Sequence, residues 1–404
     1  RRYRKKIYII SALVVICIIV AAVVGGVVGT RKSSDSQSAG GDTNGPSDTS
    51  SDTTTSGNTN KPEVNPTLIR PNSRLSVAGW RAGSGADQRF NIRLFYQGGD
   101  NVVRYSAFSS QFNWSQPTVA GIEAIPGGAL AACANIHYDP VVVNLFYLDK
   151  SNRLKAQNFG QAESDSQAGT EDTTVPSFPP LPSARLSCYM PFVIAQESTN
   201  NHLRQFNWGA NWNADRNSSS AIDGVACRRP RLRRLIVVML PINSQYYAAG
   251  GFVYRTTSGS LGNYALDGMG DTKGTAWDAT SDLYAKDISP RAPIAAFTVA
   301  RDTSGTDVNT YILYQDNLKG GGAIQVVWQD DVIGGWKGPQ TYPALGGADK
   351  DMDIACVTRQ AWDYKGIWLK TVSPINRCYF QSQGAVEEVV LDGKGWQDLG
   401  FVPI

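Results

Sequence analysis

Histidine is almost absent from this sequence of 404 residues, which contains only His137 and His202. Neither has a cysteine or an acidic residue at the spacing of a metal-ligand pair, and HYDP (137–140) is typical of a strand edge followed by a turn. The sequence therefore argues against a histidine-based catalytic triad and against a histidine-rich metal centre. We expect both histidines to be structural and the protein to bind no metal.

Catalytic and phosphate-binding signatures are also missing. The glycines at 320–322 suit a hairpin turn and not a phosphate-binding loop. The segment nearest to the aspartate box of sialidases is Asp271–Trp277, but its glycine stands one place too late. We therefore predict no catalytic residue and no cofactor. A propeller glycosidase, which needs converging carboxylates, is the weaker alternative.

Acidic residues are lacking from residues 1–32, which carry seven positive charges. Because the whole chain has a net charge of +3, the remainder carries −4, and no nucleic-acid-binding surface is predicted. A second basic run, CRRPRLRR at 227–234, has three open interpretations. It is a solvated hairpin, an anion-binding patch for sulfated or phosphorylated glycans, or a dibasic processing site at Arg231–Arg234.

Charge is absent from the 24 residues Ile7–Thr30, which are mostly apolar. A helix of this length spans a hydrocarbon core of roughly 30 Å at about 1.5 Å per residue, whereas a signal peptide has an apolar region of only about 7–15 residues. Because the basic tail 1–6 precedes the span, the positive-inside rule places the N-terminus in the cytosol. We predict a single-pass type II membrane protein, anchored in the lipid bilayer, with an extracellular or lumenal ectodomain.

Apolar residues are scarce in residues 31–66, which are rich in Ser, Thr, Gly, Asp and Asn. Such a segment buries too little surface to fold, so we predict a disordered stalk, either O-glycosylated or an inert spacer. Two N-glycosylation sequons begin at Asn113 and Asn217 and fit the predicted topology.

Helical periodicity is rare beyond residue 66, where short strand-like phrases recur instead. The first phrase of each unit begins at Leu75, Leu130, Leu186, Val225, Ile294 and Ile354, at intervals of 55, 56, 39, 69 and 60 residues. A second strand often ends in an aromatic residue and glutamine, and a third follows a polar turn. Several units close on a tryptophan: Trp114, Trp212, Trp336 and Trp396. Units of this length predict an all-β fold, a six-bladed β-propeller over residues 67–404; a sandwich or trimeric arrangement is the alternative.

The cysteines follow the repeat. Cys188, Cys227 and Cys356 occupy one equivalent position, Cys133 lies one residue further on, and the fifth unit has Ala296 there. We therefore interpret them as small buried apolar residues. With Cys378 the ectodomain has five cysteines, and Cys17 falls in the membrane span, which leaves one or two disulfides open.

The phrases IRLFYQ (92–97) and NRCYFQ (376–381), and the ending VEEVVLDGKGWQDLGFVP, resemble the fungal fucose-specific lectins of the Aleuria aurantia type. The resemblance covers about residues 70–404. It implies a six-bladed propeller that binds L-fucose between neighbouring blades. In each full site one blade supplies an arginine and a glutamate, and the next supplies an aromatic wall that includes the closing tryptophan. Charged groups would hydrogen-bond the hydroxyls, and an aromatic ring would cover the apolar sugar face.

Carried over residue by residue, the resemblance leaves one complete site. The sixth unit keeps both Arg377 and Glu388, and the next blade around the ring, the first, supplies Phe108 and Trp114. The first unit has Arg93 but has Tyr105 in the glutamate position. The remaining units have lost one or both residues: Asn144 and Ala156, Phe192 and Gln205, Tyr254 in the fourth glutamate position, and Tyr311 and Val326.

The sequence thus predicts a degenerate, membrane-anchored lectin for fucosylated or other glycans. Two alternatives remain open. Arg377 and Glu388 can be a surface ion pair across adjacent strands while the tryptophans pack the blades, and the whole propeller can be a structural or protein-interaction module that has lost sugar binding.

Overall fold

The computed structural model describes residues 68–83, 88–160, 169–175, 179–180, 185–196, 203–208, 212–213, 236–246, 250–256, 259–265, 288–315, 322–330, 335–361 and 368–404. The predicted tail, membrane span and stalk lie outside these ranges, as do His202, Asn217, Cys227, Arg231–Arg234 and Asp271–Trp277. Within the described ranges, no helix is long and apolar enough to cross a membrane.

The described residues form six antiparallel sheets, one for each predicted repeat. Blade 1 consists of β1 (Ser76–Ala82), β2 (Arg89–Gln97), β3 (Val103–Ser109), β4 (Asn113–Trp114) and β5 (Thr118–Val119). Blade 2 consists of β6 (Leu130–Asn135), β7 (Val142–Leu148), β8 (Leu154–Phe159) and β9 (Thr170–Glu171). Blade 3 consists of β10 (Leu186–Tyr189), β11 (Phe192–Gln196), β12 (Leu203–Trp208) and β13 (Trp212–Asn213).

The second half of the ring repeats this plan. Blade 4 consists of β14 (Val237–Pro241), β15 (Gly250–Arg255) and β16 (Leu261–Ala265). Blade 5 consists of β17 (Ile294–Ala300), β18 (Val308–Gln315), β19 (Ile324–Gln329) and β20 (Lys337–Thr341), followed by a short 3-10 helix (Pro343–Leu345). Blade 6 consists of β21 (Ile354–Cys356), β22 (Arg377–Ser382), β23 (Ala385–Asp392) and β24 (Gly395–Val402).

The innermost strands contact one another in ring order, from β1 through β6, β10, β14 and β17 to β21, and β21 contacts β1. The predicted all-β six-bladed propeller is therefore confirmed. Each blade lies between two neighbours, so its central strands are buried on both faces, and β2 is buried from Phe90 to Gln97. This explains why the repeated phrases are continuously apolar and do not alternate with polar residues.

The fourth repeat begins later than the sequence predicted. Its innermost strand is β14, so Val237 takes the place that we assigned to Val225. The intervals around this unit become 51 and 57 residues, in place of 39 and 69. Two similar apolar phrases, GVACRR and LIVVML, compete for the position, and repeat spacing would have favoured the second.

Four cysteines form two disulfides, which corrects their interpretation as separate apolar residues. Cys133 on β6 pairs with Cys188 on β10, joining the innermost strands of blades 2 and 3. Cys356 and Cys378 pair across β21 and β22. The sequence contained the signal for the first pair. Cys133 lies one residue further along its strand than the position equivalent to Cys188. Because successive side chains of a strand alternate between its two faces, Cys133 faces blade 3 whereas Cys188 faces blade 2.

A buried glutamine at the end of the second strand joins each of three blades to the loop that enters the next blade. The Gln315 side-chain amide donates to the carbonyl oxygens of Gly322 and Asp349, at 2.7 and 2.8 Å, and its oxygen accepts from the Asp351 amide. Gln97 and Gln381 make similar bonds in blades 1 and 6. The recurrent aromatic–glutamine pair is therefore explained by blade-to-blade linkage.

We expect Gln315→Ala to lower the free energy of unfolding by about 1–3 kcal/mol, because it leaves buried backbone groups without their partner. Denaturant titration of the propeller, residues 67–404, measures the change. Gln397→Ala, at an exposed position of β24, is the matched control and should change the value by less than about 0.5 kcal/mol. Equal effects of the two substitutions would contradict the linking role.

Candidate functional site

Strand alternation decides which neighbour each site residue faces. On β22, Arg377 and Tyr379 face blade 1, where Tyr379 joins the apolar cluster between the two blades. On β2, Phe90 and Ile92 face blade 6, whereas Arg93 faces blade 2. Arg93 and Trp114, which both belong to blade 1, therefore serve different blade junctions.

The strand register supports the predicted equivalence of blades 1 and 6. Tyr379 pairs with Glu388 across β22 and β23, and Phe95 pairs with Tyr105 across β2 and β3. The positions of Arg377 and Glu388 therefore correspond to those of Arg93 and Tyr105. Trp114 lies opposite Phe108 at the outer edge of blade 1.

Glu388 is the centre of a hydrogen-bond network that crosses from blade 6 to blade 1. Arg377 Nη1 donates to Glu388 Oε1 at 2.7 Å, and the Tyr379 hydroxyl donates to the same oxygen at 2.8 Å. Trp114 Nε1 donates to Glu388 Oε2 at 2.9 Å. Glu388 and Arg377 are only 4% and 9% exposed, so the pair that we considered as a surface ion pair is a buried one. A buried carboxylate held by three donors has a defined orientation.

Aromatic rings enclose the guanidinium group of Arg377. Its Cζ lies 4.4 Å from the ring centroid of Phe108 and 5.2 Å from that of Phe90. The Phe108 ring lies 5.4 Å from Trp114, which lies 6.0 Å from Tyr379. Phe108 and Trp114 are half-buried, so both keep an accessible apolar surface beside the polar network.

Gly400 leaves space next to the carboxylate. It lies opposite Glu388 in the pairing of β23 with β24, at a φ of 90°. A Cβ built at this position meets no atom within 4 Å. Glycine therefore allows the left-handed backbone here and leaves open surface beside the buried pair.

The structure thus brings Arg377, Glu388, Phe108 and Trp114 together as predicted, whereas Arg93 and Tyr105 form a separate cluster. Arg93 is 1% exposed, and its guanidinium lies 5.3 Å from the Tyr105 ring centroid and 5.8 Å from those of Trp80 and Phe159. In place of a closing tryptophan, blade 2 offers Gly169, where a Cβ would come within 2.4 Å of Gln157 Cγ. Aromatic packing therefore fills this position.

The fourth blade corrects another prediction. Tyr254 lies on β15 and packs towards blade 3, so it does not occupy the glutamate position. The register places Gly251 in the arginine position and Asn263 in the glutamate position. This error follows from starting the unit at Val225.

Two residues of the site were missed, although both follow from strand spacing. Tyr379 lies two residues after Arg377 and therefore on the same face of β22. Phe90 lies two residues before Ile92, which pairs with Phe108, and its ring stacks on Phe108 at 5.4 Å. The predicted glycosylation site Asn113 is exposed at the first position of β4, directly before Trp114.

Similar solved structures share this fold. No protein-family model and no curated protein matches the sequence. Among the solved structures that match, one structure of the Aleuria aurantia lectin is described as a six-bladed β-propeller. The fucose-specific lectin from Aleuria aurantia has a TM-score of 0.58 and 16% identity, over 84% of this chain and 98% of the lectin. The SapL1 lectin in complex with alpha-methyl fucoside has a TM-score of 0.56 and 15% identity, over 83% and 97% of the two chains. AofleA from Arthrobotrys oligospora has a TM-score of 0.54 and 15% identity, over 84% and 89%. The resemblance predicted from the sequence is confirmed at the level of the fold.

The Tyr379 hydroxyl should keep its proton at alkaline pH. Burial and the neighbouring Glu388 carboxylate raise the pKa of Tyr379 well above its usual value of 10.0. Tyr379 therefore ionises at a lower pH in the unfolded protein than in the folded protein. The contribution of the folded tyrosine to stability is complete below pH 10 and is lost as the pH rises further. Wild type should therefore lose about 1.4 kcal/mol of unfolding free energy per pH unit above pH 10 more than Tyr379→Phe does. Denaturant titrations of both proteins across this range test the difference, and parallel pH profiles would contradict it.

Proposed function

We propose that the propeller binds fucose, or a glycan that ends in fucose, at the junction of blades 6 and 1. The observation that carries the proposal is the buried Glu388 carboxylate, which Arg377 holds within blade 6 and Trp114 holds from blade 1. Solved structures of the same fold carry fucose-lectin names, and SapL1 was solved in complex with alpha-methyl fucoside.

The chemistry of the site suits a sugar with one apolar side. Arg377 offers guanidinium donors and Glu388 offers acceptors, so neighbouring sugar hydroxyls would form charge-assisted hydrogen bonds. Phe108 and Trp114 offer ring surface to the methyl group and apolar face of fucose. Trp114 Nε1 already donates to Glu388, so an arriving hydroxyl would share or replace this bond. Binding needs no turnover, and we propose a lectin and not an enzyme.

A propeller that binds another protein is the second candidate. Of the residues equivalent to Arg377 and Glu388, blade 1 keeps only the arginine, Arg93, and blades 2 to 5 keep neither; in blade 1 aromatic side chains surround that arginine. A single weak sugar site would depend on many copies side by side to gain avidity.

A membrane would hold many copies of the chain side by side. We propose that residues 7–30 anchor the chain as a type II protein, that residues 31–66 are a stalk, and that Asn113 and Asn217 carry N-glycans. The two disulfides support an ectodomain made in an oxidising compartment.

Calorimetric titration with methyl α-L-fucoside tests the sugar site. We expect Glu388→Gln to weaken binding at least about tenfold, because a hydrogen bond from the sugar to a charged acceptor contributes about 1.5–3 kcal/mol and is lost. Glu387→Gln on the same strand, where the side chain is half-buried, is the matched control and should bind as wild type does. Arg93→Met should also bind normally. Equal affinity of wild type and Glu388→Gln, or no binding by either, would exclude the proposed site.

Expression of the full chain in eukaryotic cells tests the anchor. The propeller should resist alkaline carbonate extraction, should be protected from protease in sealed microsomes, and should lose mass on treatment with an N-glycosidase. Asn113→Gln should reduce this loss of mass by the mass of one glycan. Release of the protein by carbonate, or its digestion in sealed microsomes, would contradict the predicted topology.

A further inference from the structure

The connection between β21 and β22 is described at residues 357–361 and 368–376. It includes the insertion AWDYKGIWLKTV (361–372), which has no counterpart in the other repeats. The Leu369 amide donates to Ser244 of blade 4, and the Ala300 amide of blade 5 donates to Lys370. The Gln360 amide donates to Met190 of blade 3. The described parts of this connection therefore rest on three other blades.

The connection forms one wall of a cleft of about 440 Å³. This volume is within the range of small-molecule sites, which is roughly 300–1,000 Å³. Trp368 is 48% exposed there, so its indole presents apolar surface to the cleft. The polar lining comes from three other blades: Gln88, Ser244, Gln245, Asp302, Thr303 and the Gly305 backbone.

Two cationic groups converge on one neutral oxygen at this cleft. Arg81 Nη1 and Lys370 Nζ both donate to Gln88 Oε1, at 2.9 and 3.2 Å. Desolvation lowers the pKa of Lys370, and the charges of Arg81 and Arg359 lower it further. An anion would reduce this repulsion and would accept from Lys370 more strongly than an amide oxygen does. Lys370 is exposed, so an anion in the cleft can reach it.

We propose that this cleft is a second binding site, which takes a saccharide bearing a carboxylate. The carboxylate pairs with Lys370, and the apolar face of the sugar ring lies on Trp368. The amides and hydroxyls of Gln245 and Thr303 offer donors and acceptors to the remaining hydroxyls. The site shares no residue with the junction of blades 6 and 1, so neither site depends on the other.

A saccharide fits the cleft better than an acidic peptide does. A pocket of this size bounded by four blades holds a compact ligand, whereas an extended peptide needs a groove or a free strand edge. Besides Lys370 and Asp302, whose carboxylate accepts from the backbone amides of Ser304 and Gly305, the lining combines one half-exposed indole with uncharged polar groups, which suits a ring rich in hydroxyls. An acidic peptide is therefore an outcome that the experiment must distinguish.

The test is a titration of the soluble ectodomain with methyl β-D-glucuronide and with methyl β-D-glucoside, which differ in the carboxylate alone. Binding is followed by ligand-observed NMR. We expect the glucuronide to bind at least about tenfold more tightly than the glucoside, and Lys370→Gln to remove this preference. Trp368→Ala should weaken the binding of both sugars.

Two controls separate this site from the fucose site and from misfolding. Glu388→Gln should leave glucuronide binding unchanged, and Lys370→Gln should keep the wild-type thermal unfolding midpoint. Equal binding of glucuronide and glucoside, or glucuronide binding that survives both Lys370→Gln and Trp368→Ala, would overturn the proposal. Binding of N-acetyl-aspartyl amide as tightly as the glucuronide would assign the cleft to acidic peptides and would likewise overturn it.

Discussion

Closure of the ring between blades 6 and 1 is the constraint on which the remainder of the propeller depends. Each blade buries both faces only if the last blade meets the first, and blades 6 and 1 are the farthest apart in sequence. Several polar contacts join them. The Leu75 amide donates to Asp353 at 3.0 Å, and the Ser106 hydroxyl donates to the Pro403 carbonyl. Trp114 and Glu388 add a further bond across the same junction.

The candidate sugar site is part of this closure, because Glu388 of blade 6 accepts a hydrogen bond from Trp114 of blade 1. Elsewhere in the ring, neighbouring blades follow one another in the chain, and in blades 2 to 5 other residues stand at both positions. At the closing junction the same pair also orients Trp114. Conversion to an apolar contact would need changes in blades 6 and 1 together, because removing one partner leaves a buried charge without compensation.

The repeats made the fold predictable, and the resemblance to the fucose-specific lectins supplied the candidate site residues. Arg377, Glu388, Phe108 and Trp114 could be placed from one aligned phrase in each blade. Errors arose where the sequence offers two phrases for one strand, as at Val225 and Val237, and where a pairing depends on strand face, as for Cys133 and Cys188. The bond from Tyr379 to Glu388 and the cleft beside Trp368 depend on distances between strands and blades, which no single repeat encodes.

The most direct test of the account is whether a fucoside reaches the Trp114 indole at the blade junction. The sequence contains ten tryptophans, so the indole N–H resonances of a ¹⁵N-labelled propeller are few enough to assign by substitution. On addition of methyl α-L-fucoside, we predict that the resonance lost in Trp114→Phe shifts, while that of Trp368 stays in place. A Trp114 resonance that remains fixed at saturating fucoside, or a shift confined to other indoles, would contradict the central claim.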